Sequence, residues 1–442
     1  MSESLLIGVS MKKLIVAMSI AAVSSFAQFG GFGGGMGGFG GQQGSGSVEN
    51  TDKTADVNYV GDGKSYHTLD IYIPKGNKDS YPVVIHTYGS AWSSNNMKGS
   101  ADLGTICSAY AKAGYAVVTP NHRAAGDGIY PAQLHDIKAV VRFVRGHAAK
   151  YKFDTNFVAV SGFSSGGHLS SLTATTCGLK EGKSGSVTVD LVGNLGEYTS
   201  FSSCVDGAVL WSPPTDIYTM NPISMGGSGT MEGKFIGVER EGNKDKWMVA
   251  SSPYYASDDD PPVILFHGTA DKIVNPEQSK ELYDSLKNHN VVTELVSVPG
   301  GEHGSNGMYS SENLNKAVAF LDKAREAKAA KVPDVVVQDS SKKDSTEKDV
   351  KDSTGKDPAV NDSSLALTSR MAGLYGVELR GNRLLVRDPA EHRYAVHTVY
   401  GARVAGGVFR KELDLSSLPV GVYGIIVTSP TGDRNRVRFI KK

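Results

Sequence analysis

The sequence predicts an α/β protein, a mostly parallel sheet with helices on both faces, followed by a small all-β sandwich. Three observations carry this expectation. Between residues 56 and 327, short apolar runs alternate with stretches of helical period, the pattern of strands and crossover helices. Within that region Phe157–Ser171, FVAVSGFSSGGHLSS, reads as a buried strand, a sharp glycine-containing turn and a helix. Beyond residue 364 the pattern becomes short alternating strands separated by turn residues.

The chain has 442 residues, more than one typical domain. Lys and Arg number 46 and Asp and Glu number 46, so no global charge favours a nucleic acid partner. Met11–Ala27, MKKLIVAMSIAAVSSFA, has a lysine pair, a short apolar run and a small-x-small ending. That is the layout of a secretory signal peptide cleaved after Ala27, with Met1–Ser10 as an upstream start, so residues 1–27 are assigned to export. The expected location is secreted or cell-surface, reached through the periplasm. After cleavage no apolar run reaches the length of a membrane span. Residues 28–55 are rich in Gly with Phe, Met and Gln and are read as a flexible linker.

The main domain is placed at 56–327. Val57–Val60 and His67–Ile73 read as an opening hairpin, and Val83–Thr87 and Ala116–Thr119 as buried strands with a crossover helix, Leu103–Lys112, between them. Ala132–Lys150 carries Ile137, Val140, Val141 and Val144 at helical spacing. Phe157–Val160, Ala208–Leu210, Val263–Phe266 and Val292–Val298 are the following strands, and Glu277–His289 and Asn313–Lys328 are closing helices. Tyr218–Val249 has few strand signals and is read as a cap or insertion that sets substrate choice. Of the three cysteines, one must stay unpaired if a disulfide forms; Cys177–Cys204 with Cys107 buried is one arrangement, three reduced thiols the other. No spacing suggests a zinc site or a phosphate cradle, so no metal or cofactor is called for.

The chemistry centres on Gly162-Phe163-Ser164-Ser165-Gly166, a G-x-S-x-G turn. A serine on a tight strand-to-helix turn projects its hydroxyl above the sheet, and the flanking glycines allow the backbone to turn. Ser164 is the candidate nucleophile; with Ser165 in that role, Phe163 would stand at the first glycine position. The Ser165 N–H lies at a helix N-terminus, where donors are unpaired and negative charge is favoured. Asp271 follows the strand Val263–Phe266 and is the candidate acid, ahead of Asp216 and the run Asp258–Asp260. His303, in a glycine-rich loop before the last helix, is the candidate base. It completes the order Ser, acid, His. His86, His135, His168 and His267 fall within or beside predicted strands and helices and are read as structural.

Five tracts in order, Tyr130–Asp136 (YPAQLHD), GFSSGGHL, Ser212–Asp216 (SPPTD), His267–Asp271 (HGTAD) and Val298–Gly304 (VPGGEHG), give the chain a family resemblance. It resembles the α/β-hydrolases of the bacterial esterase/lipase group that includes feruloyl- and acetyl-esterase-like carbohydrate esterases, over roughly residues 66–320. The resemblance implies an α/β-hydrolase fold and a serine carboxylic ester hydrolase. The implied substrate is an acetylated or feruloylated plant cell-wall polysaccharide or oligosaccharide. Members often carry His-Gly-Gly-Gly-Trp after the third strand, where this chain reads Tyr88-Gly89-Ser90-Ala91-Trp92. The N–H groups of Gly89, Ser90 and Ala91, with that of Ser165, are therefore the candidate oxyanion donors. The alternatives are a peptidase similar to prolyl oligopeptidase, although the chain has no room for that class's N-terminal propeller, and a non-catalytic surface glycan-binding protein.

Residues 328–364 are dominated by Lys, Asp, Ser and Thr and are read as a charged linker. In residues 365–442 the expected strands are Val377–Leu379, Leu384–Val386, Ala395–Val399, Val422–Val427 and Arg436–Ile440. Leu413–Tyr423, LDLSSLPVGVY, with a basic last strand, resembles the type IX secretion sorting domain and implies secretion machinery as a partner. A carbohydrate-binding module is the rival.

Overall fold

The computed structural model describes residues 46–225 and 227–330, and in the tail 377–380, 383–386, 390–398, 403–419, 421–428 and 434–441. The expected signal peptide, the glycine-rich segment up to residue 45 and the charged linker from residue 331 lie outside the described residues. Among the described residues, ten strands precede residue 330: β1 (Thr51–Asn58), β2 (Thr68–Pro74), β3 (Tyr81–Thr87), β4 (Ala116–Pro120), β5 (Phe153–Phe163), β6 (Glu181–Ser184), β7 (Val187–Asp190), β8 (Gly207–Trp211), β9 (Val263–Gly268) and β10 (Thr293–Val298). Eight of them form one sheet in the order β1-β2-β4-β3-β5-β8-β9-β10. β1 and β2 pair antiparallel, as do β2 and β4, and every pair from β4 to β10 is parallel.

All residues of β3, β4, β8 and β9 are buried, because helices cover both faces of the sheet. Among the described residues the long helices are α1 (Ala132–Gly146), α2 (Ser165–Thr175), α3 (Glu277–Asn288) and α4 (Ser311–Ala330). Strand alternation divides the core between the two faces. Val83, Ile85, Val158, Val160, Leu210 and Leu265 pack with Val140 and Val144 of α1 and Leu282 and Leu286 of α3. Val84, Ala159, Val209, Trp211 and Phe266 pack with Ile106, Tyr110 and, from α4, Ala317, Phe320 and Leu321.

The departures from expectation have local causes. β1 begins at Thr51, inside the segment read as linker, because it pairs with β2 from Thr51↔Pro74 onward although its own side chains are largely exposed. β5 extends four residues before Phe157, where Phe153 and the polar Asp154 pair with Tyr81 and Pro82 ahead of a register shift to Val83↔Val158. The stretch Leu103–Lys112 divides into a π turn, Leu103–Cys107, and one α turn, Ser108–Lys112. The helix expected over 132–150 breaks at His147 and resumes as Ala148–Tyr151. The hairpin β6–β7 was not foreseen; its half-exposed residues form no apolar run. Cys177 and Cys204 form a disulfide, and Cys107 is buried and free.

The tail has strands β11 (Val377–Arg380), β12 (Arg383–Val386), β13 (His392–Thr398), β14 (Arg403–Phe409), β15 (Glu412–Asp414), β16 (Gly421–Thr428) and β17 (Arg434–Lys441). They make a three-stranded sheet, β11-β12-β15, and a four-stranded sheet, β14-β13-β16-β17, antiparallel throughout. Leu384, Val386 and Leu413 from the first sheet share a core with Val396, Phe409, Tyr423, Ile425 and Val427 from the second. That shared core is the packing of a sandwich. β14 and β15 were not anticipated, since Gly406-Gly407 reads as a turn and β15 has three residues.

Candidate active site

Strand β5 ends at Phe163 and helix α2 begins at Ser165, leaving Ser164 on the turn with φ 52° and ψ −123°. A non-glycine residue there is strained by about 1–3 kcal/mol and needs its surroundings to hold it. The Ser164 N–H donates to the Trp211 carbonyl at 2.9 Å, and the Ser164 carbonyl accepts from the His168 N–H at 3.0 Å. Close approach sets the next requirement. A Cβ on Gly166 would stand 2.1 Å from the Thr87 carbonyl oxygen, so only glycine lets α2 start against the end of β3.

The loops after β9 and β10 bring two further side chains to this turn. Ser164 Oγ–H donates to His303 Nε2 at 2.9 Å, and His303 Nδ1–H donates to Asp271 Oδ2 at 2.8 Å. The ring of Phe163 packs 4.8 Å from that of His303. Asp271 Oδ1 accepts the N–H groups of Ile273 and Val274, each at 2.9 Å. His267 Nε2 stands 3.3 Å from Asp271 Oδ2 and 2.9 Å from the Val274 carbonyl, while its Nδ1 accepts from Ser279 Oγ at 2.6 Å. Burial alone would raise the Asp271 carboxyl, but the hydrogen bonds from His267 and His303 outweigh it and hold the group well below the usual carboxylate range. Asp271 is thus a fixed negative charge that selects the His303 tautomer with its lone pair on Nε2.

The loop after β3 closes the other side of the turn. Gly89 lies against the elbow: a Cβ there would meet the Phe163 carbonyl oxygen and Ser164 Cβ, each at 2.9 Å. Ser90 requires a correction, because its N–H donates to Ser165 Oγ at 2.9 Å and is engaged within the protein. Ala91 and Trp92 follow with φ 49° and 55°. The Ser165 N–H, at the first position of α2, has no intrahelical acceptor.

The competing acids are used elsewhere. Asp216 accepts from the Tyr218 N–H and from Ser251 Oγ, Asp260 from Ser257, and Asp258 lies beside His289. Of the other histidines, His86 bridges Ser161 and Asp102 inside the sheet and His135 donates to the Asp190 carbonyl. His168 and His267 border the site, and neither contact was expected from the sequence. His168 accepts the Trp92 indole N–H at 3.2 Å, and His267 touches Asp271. The stretch 218–249 contributes Phe235, Ile236 and Trp247 to a cluster with Trp92, Leu169 and Leu172, so this insertion packs on α2 and on the loop after β3.

The sheet order, the strained serine turn and the two loop residues joined to it are the features of an α/β-hydrolase. The family model BD-FAE matches residues 69–286. A solved structure described as a truncated form of carbohydrate esterase from gut microbiota is 39% identical with a TM-score of 0.60, over 64% of this chain and 99% of that one. A second, described as a bifunctional GH43-CE of Bacteroides eggerthii, is 41% identical with a TM-score of 0.59, over 62% of this chain and 35% of that one. Among curated proteins, the one named probable carboxylic ester hydrolase LipM of Mycobacterium tuberculosis is 28% identical over 52% of this chain and 51% of its own. The chain belongs to the carbohydrate esterase family of α/β-hydrolases. It spans about half to three fifths of the length of the curated relatives it matches first.

Proposed function

We propose that this protein is a secreted serine esterase that removes acyl groups, acetyl or feruloyl, from plant cell-wall polysaccharides or their oligosaccharides. The observation that carries the proposal is the unbroken hydrogen-bonded chain Ser164–His303–Asp271, at 2.9 and 2.8 Å. In this reading Ser164 Oγ attacks the ester carbonyl carbon as its proton passes to His303 Nε2. The carbonyl oxygen becomes an oxyanion facing the N–H of Ser165 and the loop after β3, in which the Ser90 N–H is already engaged by Ser165 Oγ. His303 then gives the proton to the departing alcohol, leaving an acyl-enzyme on Ser164. A water molecule deprotonated by His303 attacks that ester, and the carboxylic acid leaves as Ser164 regains its proton. Asp271 stays ionised throughout.

Support for a carbohydrate substrate comes from the two solved relatives, each described as a carbohydrate esterase or as containing one. The tail sandwich, on its resemblance to sorting domains, is proposed to direct export or surface attachment. The test of the catalytic proposal is hydrolysis of an aryl acetate, methyl ferulate and acetylated xylan by the purified protein and by Ser164→Ala. Loss of a triad serine lowers turnover by roughly a millionfold. Retained activity in Ser164→Ala, with loss in Ser165→Ala, would overturn the assignment of the nucleophile.

A further inference from the structure

Ala91 and Trp92 take up successive left-handed backbone angles, φ 49° and 55°, in the loop that faces the nucleophile. Glycine adopts that region without strain; alanine and tryptophan do not. A strained segment of this kind keeps its shape only where its neighbours over-determine it. Two hydrogen bonds tie it to the helix that follows Ser164. The Ser90 N–H donates to Ser165 Oγ at 2.9 Å, and the Trp92 indole N–H donates to His168 Nδ1 at 3.2 Å. Ser165 and His168 are three apart on α2 and therefore share one helical face, so alternate residues of the loop, Ser90 and Trp92, are pinned to positions about one turn apart on the helix.

His168 is fixed in turn. Its Nε2–H donates to the Ala250 carbonyl at 2.8 Å, which leaves Nδ1 as the acceptor that Trp92 requires. The Trp92 ring stacks on Phe235, with centroids 4.7 Å apart and planes 18° from parallel, and Phe235 meets the His168 ring edge-on. Trp92, His168 and Phe235 are all fully or almost fully buried. Phe235 belongs to the short helix Met231–Ile236 of the insertion, so that insertion, the loop and the nucleophile helix meet at one indole.

We infer that Trp92, His168 and Phe235 are positioning residues that hold the oxyanion loop at a fixed distance from Ser164, replacing the glycine freedom the loop lacks. The inference rests on the esterase reading above. It assigns the insertion a part in catalysis as well as in substrate choice.

The test uses the full chain, with Trp92→Phe, His168→Gln, His168→Leu and Phe235→Leu compared with wild type on an aryl acetate. Each preparation is titrated for reactive Ser164, so that misfolded protein does not enter kcat. Affinity for an aryl trifluoromethyl ketone is measured alongside; Ser164 Oγ adds to its carbonyl and places an oxyanion in the loop. Trp92→Phe keeps an aromatic ring, smaller than the indole, and removes the N–H. It should lower kcat per titrated serine roughly tenfold or more and weaken the ketone by the same factor, with KM within about twofold. His168→Gln, which retains an acceptor and a donor, should stay closer to wild type than His168→Leu. Wild-type kcat and ketone affinity in Trp92→Phe and Phe235→Leu, with only thermal stability reduced, would make the cluster mere packing and overturn the inference while the esterase reading stands. A wild-type protein without esterase activity takes down both.

Discussion

His267 and Asp271 are four residues apart at the end of β9, and His267 Nε2 stands 3.3 Å from the same Asp271 oxygen that accepts from His303. One carboxylate oxygen therefore serves two histidines, one facing Ser164 and one turned back into the fold toward Ser279 and Val274. His267 helps keep the carboxyl ionised against the cost of its burial. His267→Leu should lower kcat by up to about tenfold, the worth of one hydrogen bond, with KM little changed. The sign of the pH effect follows from the depressed carboxyl. Losing the His267 bond moves the Asp271 pKa upward, so the deficit relative to wild type should widen as the pH falls. A ratio of rates that is constant from neutral to acidic pH would show that His267 does not act through Asp271.

Gly89 is held by space. A Cβ would fall 2.9 Å from both the Phe163 carbonyl oxygen and Ser164 Cβ, atoms that cannot retreat without moving Ser164. Gly89→Ala should displace the loop and cost a hundredfold or more in kcat, the order seen when an oxyanion donor is removed. Gly61→Ala, a left-handed position with open space around it, is the control for backbone strain alone. Equal activity in the two variants would mean that the loop after β3 tolerates the shift and does not set the site.

These two contacts mark the limit of what the sequence discloses. β3, β4, β8 and β9 are legible as unbroken apolar runs because both their faces are covered. β6, β7 and β14 are not, since half-exposed or glycine-containing strands leave no such run. Ser164, Asp271 and His303 could be proposed from turn chemistry and chain order, which local sequence carries. The Trp92–His168 bond joins residues 76 apart in the chain and depends on how α2 packs against the loop, for which neither residue has a local signature. Which of the candidate N–H groups of Gly89, Ser90 and Ala91 is already engaged is hidden for the same reason: the partner of Ser90 is a side chain from another element.

His168 also makes a stability prediction. Its neighbours are Trp92, Phe235 and the Ala250 carbonyl, and no charged group contributes to its shift. Burial pushes its pKa down from 6.5 to about 4, opposed only in part by the hydrogen bond to Ala250. Below pH 6.5 the unfolded chain takes up a proton that the folded chain refuses until about pH 4, so folding should weaken as the pH falls through that window. The contribution is on the order of 3 kcal/mol at most. Urea unfolding across this range should therefore show a shallower pH slope for His168→Gln than for wild type. Identical slopes would mean that His168 takes its proton as readily folded as unfolded.

The last prediction separates the tail from the catalytic unit. Ala317, Phe320, Leu321 and Ala324 of α4 are buried in the sheet's core, so the catalytic unit needs this helix, which ends at Ala330. The tail sandwich closes on its own cluster, Leu384 to Val427. A chain ending at Ala330 should therefore fold and keep wild-type kinetics on a small soluble ester. If the tail is a sorting domain, its removal should leave active enzyme within the cell envelope instead of outside. A carbohydrate-binding tail predicts normal export and a loss confined to insoluble polysaccharide, where tethering raises the local substrate concentration. Fractionating cells that express the shortened chain and assaying each fraction on both substrates distinguishes them. Shortened enzyme outside the cell at the wild-type level would exclude the sorting role, and an accompanying loss on insoluble xylan alone would assign the sandwich to substrate binding.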